Sequence, residues 1–180
     1  MKHKVFALDF DGVIADGLNE CILVTWNGYY DLPLDNFSVE GLAKVPEWFI
    51  DRFTHCRNFA KHLGHFAVTI FDRDTPIKTQ ADYERLYLSL DALEVESFVK
   101  KVNVYRANVR TVQESLWLDQ HTFYPKIQSF LKGLDAPLYI VSAKDRDSII
   151  KILTRSGIEI NPNQVFGEQR NKSIALSAID

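Results

Sequence analysis

The sequence predicts an α/β protein: a parallel-sheet core interrupted by an inserted all-helical cap domain. Three observations carry that prediction. Two short apolar, β-prone runs, Val5–Leu8 and Leu138–Val141, each stop at a polar residue, Asp9 and Ser142. The long stretch between them spaces its apolar residues by three and four, the period of helices buried along one face. From Leu138 onward strand and helix signals alternate, the order of a parallel sheet joined by crossover helices. The division reads as residues 1–16 and 122–180 for the core and 17–121 for the cap.

The first strand runs into Asp9-Phe10-Asp11-Gly12-Val13-Ile14. Its apolar character is nearly continuous rather than alternating, as expected of a strand buried on both faces of a parallel sheet. In extended backbone, residues i and i+2 point the same way, about 7 Å apart. Asp9 and Asp11 are thereby placed to address one small target. Two carboxylates that close repel, and a cation between them relieves the repulsion. The pair suits a magnesium-assisted reaction in which one Asp attacks and the other handles a proton. Asp-Gly between apolar runs is also a hairpin signal, and a solvated acidic turn has the same composition. A calcium loop is excluded, because Val13 and Ile14 stand where it needs oxygen ligands and a glycine.

The cap follows as a series of helices. Leu18–Tyr30 lacks proline and reads as the first. From Val45 to Phe66 one stripe passes through Trp48, Phe49, Phe53, Cys56, Phe59 and Leu63, with Pro46 in the first turn. Phe66–Phe71 suits either helix or strand. Asp74-Thr75-Pro76 is a break, the proline pushing Thr75 towards extended backbone. Lys78–Val102 carries a second stripe through Tyr83, Leu86, Tyr87, Leu90, Leu93, Phe98 and Val99, and Val104–Leu118 a third. The aromatics read as core packing. Arg52, His55, Arg57 and His62 read either as a wet helix face with local ion pairs or as contacts for an anionic substrate.

The core resumes at Phe123-Tyr124-Pro125. A helix over Lys126–Leu134 and a turn through Asp135-Ala136-Pro137 lead to the strand Leu138–Val141. A helix over Asp145–Arg155 closes at Gly157, a third strand lies at Val165-Phe166-Gly167, and a last helix covers Asn171–Ile179. Such a Rossmann-like sheet binds ligands at the carboxyl ends of its strands, where Asp9, Asp11 and Ser142 all fall. Ser142 precedes a helix, so its hydroxyl and the N–H groups beyond it suit an anion; equally, it caps that helix. Lys144 is a well-placed cation for an anionic substrate. Lys172, opening the last helix, is either a solvated charge slightly misplaced against the helix dipole or a partner for a phosphate and a nucleophilic carboxylate.

The segment Val5–Asp16, with its Asp-x-Asp-Gly-Val pattern, resembles the first signature of the haloacid dehalogenase superfamily. It looks like the phosphatase branch whose helical cap is inserted after the first strand, as in phosphoglycolate phosphatase-like proteins. Tyr139-Ile140-Val141-Ser142 is similar to the second signature and Lys172 to the lysine of the third. The resemblance implies that Asp9 is the nucleophile and Asp11 the general acid/base, with Asp9 and Asp11 also holding Mg2+. It implies that Gly12, Ser142 and Ala143 hold the phosphate, that Lys172 steadies both phosphate and nucleophile, and that the cap selects the substrate. Lys144, Arg52 and Arg57 are the candidate substrate contacts. The implied activity is magnesium-dependent hydrolysis of a small phosphorylated metabolite through an aspartyl-phosphate. Ala143 replaces the common Asn or Gly, and Ser173 the proline that usually follows the lysine. The fourth signature, an acidic pair after a further strand, does not occur through Asp180, and Asp180 follows a helix instead. A binding or regulatory protein on the same scaffold and a phosphomutase are therefore alternative readings.

Composition excludes other classes. With 21 basic and 24 acidic residues the net charge is −3, which gives no electrostatic case for a nucleic-acid partner. No apolar run has the length to cross a bilayer. Met1-Lys2-His3-Lys4 leads directly into a strand, which leaves no room for a signal peptide. Cys21 and Cys56 fit no metal spacing and read as reduced, buried thiols of a cytoplasmic protein. In the superfamily the first strand is central, so without the fourth strand Val5–Leu8 is expected to be a bare sheet edge. Further residues or a second copy in a homodimer are expected to cover it.

Overall fold

The computed structural model describes residues 4–169 and 171–179. The readings placed on Met1–His3 and Asp180 lie outside the described residues. The chain divides into two compact units, one made of the residues through Gly17 together with those from His121 onward, the other of Leu18–Gln120.

The first unit is α/β. Strand β1 (Phe6–Leu8) opens it, and a short β2 (Ala15–Asp16) pairs antiparallel with β3 (Thr122–Phe123). Helix α8 (Ile127–Lys132) leads to β4 (Leu138–Val141), α9 (Arg146–Arg155) to β5 (Val165–Phe166), and α10 (Lys172–Ser177) follows. The strands β1, β4 and β5 form one parallel sheet in the order β1-β4-β5. The register sets Leu8 against Ile140 and Val141 against Phe166, so the chain leaves all three strands at the same sheet end. The expected α/β class with a parallel sheet is thus what the structure shows.

Packing explains the positions. Ile149, Ile152 and Leu153 of α9 follow three-and-four spacing and are buried with Ile140, Val141 and Val165, the last on the strand α9 packs against. Each such side chain contributes about 1.5–3 kcal/mol by leaving water. Asp145 caps α9 by accepting from Ser148 N at 3.0 Å. Gly157, at φ +68°, makes the left-handed turn just past its end. The expectation that β1 is buried on both faces fails: Phe6 and Leu8 are half-buried and Ala7 is exposed. Among the described strands β1 has β4 as its sole neighbour in the sheet, so it lies at the edge, with the face carrying Ala7 open to water. The pairing of β2 with β3, which the sequence reading missed, makes the chain's exit and return a short ribbon, tightened by Tyr124 N donating to Ile14 O at 3.1 Å.

The second unit is all helical: α1 (Leu18–Tyr29), α2 (Val39–Leu42), α3 (Glu47–Arg57), α4 (Ala67–Phe71), α5 (Gln80–Ser89), α6 (Ala92–Val112) and α7 (Glu114–Asp119). Three expected helices are each split, the one over Val104–Leu118 at Gln113, between α6 and α7. The stripe Val45–Phe66 stops at Arg57, where the Asn58 amide folds back onto His55 O at 3.2 Å and both Phe59 and Ala60 donate to Cys56 O. The stripe Lys78–Val102 breaks at Leu90; Asp91 starts α6 by accepting from Leu93 N and Glu94 N at 2.9 and 3.0 Å. Leu93, placed by spacing in the buried stripe, is 75% exposed. Helix α6 then runs through the gap expected between the second and third stripes.

Within this unit α1 and α6 pack along one another, and Glu20 of α1 is buried there. Arg106 of α6 grips it with Nε to Oε1 at 2.8 Å and Nη2 to Oε2 at 3.0 Å, and Trp117 Nε1 of α7 donates to Oε1 at 3.2 Å. Asn27 donates to the Tyr105 hydroxyl at 3.1 Å and to Asn36 O at 3.2 Å. Cys21 and Cys56 are buried thiols outside any disulfide, and burial pushes Cys56 up to about 11. No helix among the described residues is long and apolar enough to cross a membrane.

Candidate active site

The site is built at the carboxyl end of the sheet in the α/β unit. Asp9 follows β1 directly, and its Oδ1 accepts from Phe10 N at 2.8 Å. Phe10 is fully buried, and its carbonyl collects the N–H groups of Val13, Ile14 and Ala15 at 3.3, 2.9 and 3.2 Å. That tight turn is possible because Gly12 takes φ +79°, backbone that side chains disfavour. Gly12 N is itself spent on Ala15 O at 3.0 Å. The expectation that Gly12 holds a phosphate is therefore corrected: it shapes the turn, and its N–H is not available to an anion.

Each aspartate has a lysine. Lys172, the first residue of α10, forms an ion pair and hydrogen bond through Nζ with Asp9 Oδ2. Lys144 Nζ lies 3.4 Å from Asp11 Oδ1. Asp9 and Lys172 side chains are 33% and 39% exposed, so the pair is open to a solute. Asn171 explains why a lysine stands where the helix dipole disfavours it: its side chain caps α10 by accepting from Ser173 N at 3.1 Å, leaving Lys172 to turn towards Asp9.

Ser142 directly follows β4 and is buried, its N–H bonded to Phe166 O at 2.9 Å and its carbonyl to Gln169 N at 2.8 Å. Its hydroxyl accepts from Lys144 N at 3.3 Å. Of the N–H groups beyond Ser142 expected to bind an anion, that of Lys144 is thus occupied, while Ala143 N–H has no partner among the described residues. The β5 side closes tightly on this turn. A Cβ on Gly167 would fall 2.4 Å from Arg146 N and 2.9 Å from Lys144 O, so only glycine permits that approach. The next residue, Glu168, donates its N–H to Lys144 O at 3.0 Å.

The structure thus brings Asp9 to Lys172 and Asp11 to Lys144, with Ser142 bound to the Lys144 backbone. His121 was missed by sequence reasoning. A Cβ on Gly17 would fall 3.3 Å from the His121 ring and 3.8 Å from Asp11 Oδ1, so the imidazole lies near the Asp11 carboxylate, and no nearby motif flags it. Arg52 and Arg57 belong to the helical unit. The reading of Arg52 as a substrate contact is corrected, because its guanidinium is used internally: Nε on Asp72 O, Nη1 on Thr75 O and Nη2 on Asp72 Oδ1, at 3.2, 2.9 and 2.9 Å. Arg57 sets its guanidinium over the Phe66 ring, 5.9 Å from its centroid.

Magnesium fits this donor set. It takes hard oxygen ligands and is commonly held by one or two carboxylates with waters and substrate phosphate. Asp9 and Asp11 are two such carboxylates, and Asp11 Oδ2 has no protein partner among the described residues. No group of three or more His, Cys, Asp and Glu side chains suited to a metal occurs among those residues.

No family model matches the chain, and no curated protein matches its sequence. A solved structure does: a hydrolase of the haloacid dehalogenase-like family from Streptococcus pneumoniae. The likeness covers 98% of this chain and 70% of that one, at 15% identity and a TM-score of 0.50. At that identity the likeness shows a shared fold, the haloacid dehalogenase-like α/β core with a helical insertion.

Proposed function

We propose that the chain is a magnesium-dependent phosphomonoester hydrolase acting on a small phosphorylated metabolite through an aspartyl-phosphate on Asp9. The observation that carries this reading is the Asp9–Lys172 pair at the end of β1, with Asp11 two residues on and Ser142 at the end of the neighbouring strand. Lys172 holds one Asp9 oxygen and Phe10 N the other, which fixes the carboxylate's direction. That carboxylate attacks phosphorus; the P–O bond to the leaving group breaks, and Asp11 gives its proton to the departing oxygen. A water then attacks the aspartyl-phosphate, Asp11 takes the proton back, and the Asp9–phosphorus bond breaks. The net change is ester plus water to alcohol plus phosphate. Lys172, the Ser142 hydroxyl and the Ala143 N–H offer positive charge and donors to the phosphoryl oxygens. Asp9 and Asp11 are the residues that would hold magnesium, which would supply further positive charge to the site. Positioning and charge stabilisation of this kind supply most of the rate in phosphoryl transfer.

The test is turnover of p-nitrophenyl phosphate with magnesium by the parent and by Asp9→Asn. The expected result is loss of activity with the circular dichroism spectrum and melting temperature kept, because Asp9 is partly exposed and not part of the core. Equal turnover in the two proteins overturns the reading.

A further inference from the structure

We propose that Lys144 is a positioning residue for Asp11, holding its carboxyl where it reaches the leaving-group oxygen, rather than a cation for the substrate. The inference rests on the phosphatase reading above. Lys144 is unusually confined for a lysine: its side chain is 14% exposed, and its ammonium lies 3.4 Å from Asp11 Oδ1. Its backbone is fixed on both sides, N–H on Ser142 Oγ at 3.3 Å and carbonyl on Glu168 N at 3.0 Å, with Gly167 pressed against the same turn. The side chain therefore projects from a rigid base.

Asp11 has the opposite character. Its backbone is set by the turn around Phe10 O and by its bridge to Ala15, yet its carboxylate has no hydrogen-bond donor among the described residues. Lys144 is the one charged group among them that faces it at ion-pair distance. Asp9, in contrast, has both oxygens held by other groups. Removing Lys144 frees the proton donor and leaves the nucleophile in place.

This division has a kinetic signature. In the first half-reaction the Asp9–phosphorus bond forms, the ester P–O bond breaks, and the electron pair leaves on oxygen. An alkoxide leaving group needs the Asp11 proton as it departs, while p-nitrophenolate does not. The quantity to measure is kcat/KM, which reports only on this half-reaction.

The experiment compares the parent, Lys144→Met, Lys144→Arg and Asp11→Asn on p-nitrophenyl phosphate, phenyl phosphate and 2-phenylethyl phosphate. Inorganic phosphate serves as a competitive inhibitor. Lys144→Met is expected to lose roughly 100-fold in kcat/KM on the alkyl ester and only a few-fold on the p-nitrophenyl ester, the low end of what a positioned general acid supplies. Phosphate Ki should stay within about twofold, because ground-state phosphate binding does not use Lys144. Lys144→Arg should restore most of the alkyl-ester rate, and Asp11→Asn should show the same leaving-group pattern more strongly. An equal loss on all three esters, or a large rise in phosphate Ki, makes Lys144 a substrate contact and overturns the proposal. If Lys144→Met fails to fold by circular dichroism, the Arg variant decides: alkyl-ester turnover near the parent's supports the proposal, and a uniform loss across the esters overturns it. A parent without turnover on any ester, yet folded, removes the phosphatase reading itself. A parent active on all three with a flat Lys144 effect removes only the present inference.

Discussion

The two units handle a carboxylate–cation pair in opposite ways. In the helical unit Glu20 is 2% exposed and satisfied by Arg106 and Trp117. In the α/β unit Asp9 and Lys172 keep about a third of their side-chain surface in water. A buried pair contributes little net stability once desolvation is counted, but losing one partner strands a charge in a low-dielectric interior. A half-open pair costs less to break and remains accessible to a solute. The same ionic chemistry is structural in one place and poised for reaction in the other, and the difference is access to water.

Breaking each pair sharpens the contrast. Arg106→Met should lower stability by about 3–5 kcal/mol, because Glu20 stays buried without its cation. Pairing it with Glu20→Leu should restore most of that loss, as apolar replacement of a buried ion pair commonly does; urea denaturation of the single and double variants checks both. Lys172→Met should do the reverse, cutting kcat on p-nitrophenyl phosphate by about 10²–10³-fold while stability shifts by under about 1 kcal/mol. No apolar replacement of Asp9 and Lys172 together should restore turnover. A Lys172 variant that unfolds but stays active when folded would erase the distinction between the two pairs.

A smaller effect belongs to the helical unit alone. Burial, with help from His62, pushes His65 from 6.5 to about 4. Its folded form therefore holds the proton less tightly than its unfolded form. Between those values the unfolded chain binds more protons, so stability is complete above about pH 6.5 and falls as pH is lowered towards 4. Melting temperatures of the parent and His65→Gln across pH 7.5 to 4.5 should converge as the parent loses that contribution, about 1.4 kcal/mol at most per pH unit. Parallel curves would contradict the assignment.

Much of the α/β unit was legible in the sequence because its signals are local. Leu138–Val141 is apolar and β-prone and stops at a polar residue, and the structure places β4 there with the same limits. Asp145, Ile149, Ile152, Leu153 and Gly157 together mark the start, buried face and end of α9. The helical unit was less legible, since spacing cannot see a helix ended by Asn58 folding back or one begun anew by Asp91. Pairings across the chain were invisible for another reason. Glu20 and Arg106 look like ordinary surface charges until α1 and α6 pack, and Arg52 looks exposed until Asp72 and Thr75 turn back to meet it. Within the candidate site, Asp9, Asp11, Ser142 and Lys172 stood out by position at strand and helix ends. The partnership of Lys144 with Asp11 did not, because it joins two turns that only the sheet brings together.

The central claim is that Asp9 is a nucleophile rather than a passive anion. The most direct measurement is to quench the protein during turnover of p-nitrophenyl phosphate with magnesium, reduce the acyl phosphate with borohydride, and locate the modified residue by peptide mass spectrometry. The account predicts that Asp9 alone is reduced to homoserine in the parent and that Asp9→Asn yields no product. Continued turnover with Asp9 unmodified at every quench time, or reduction at a different carboxylate, would contradict it.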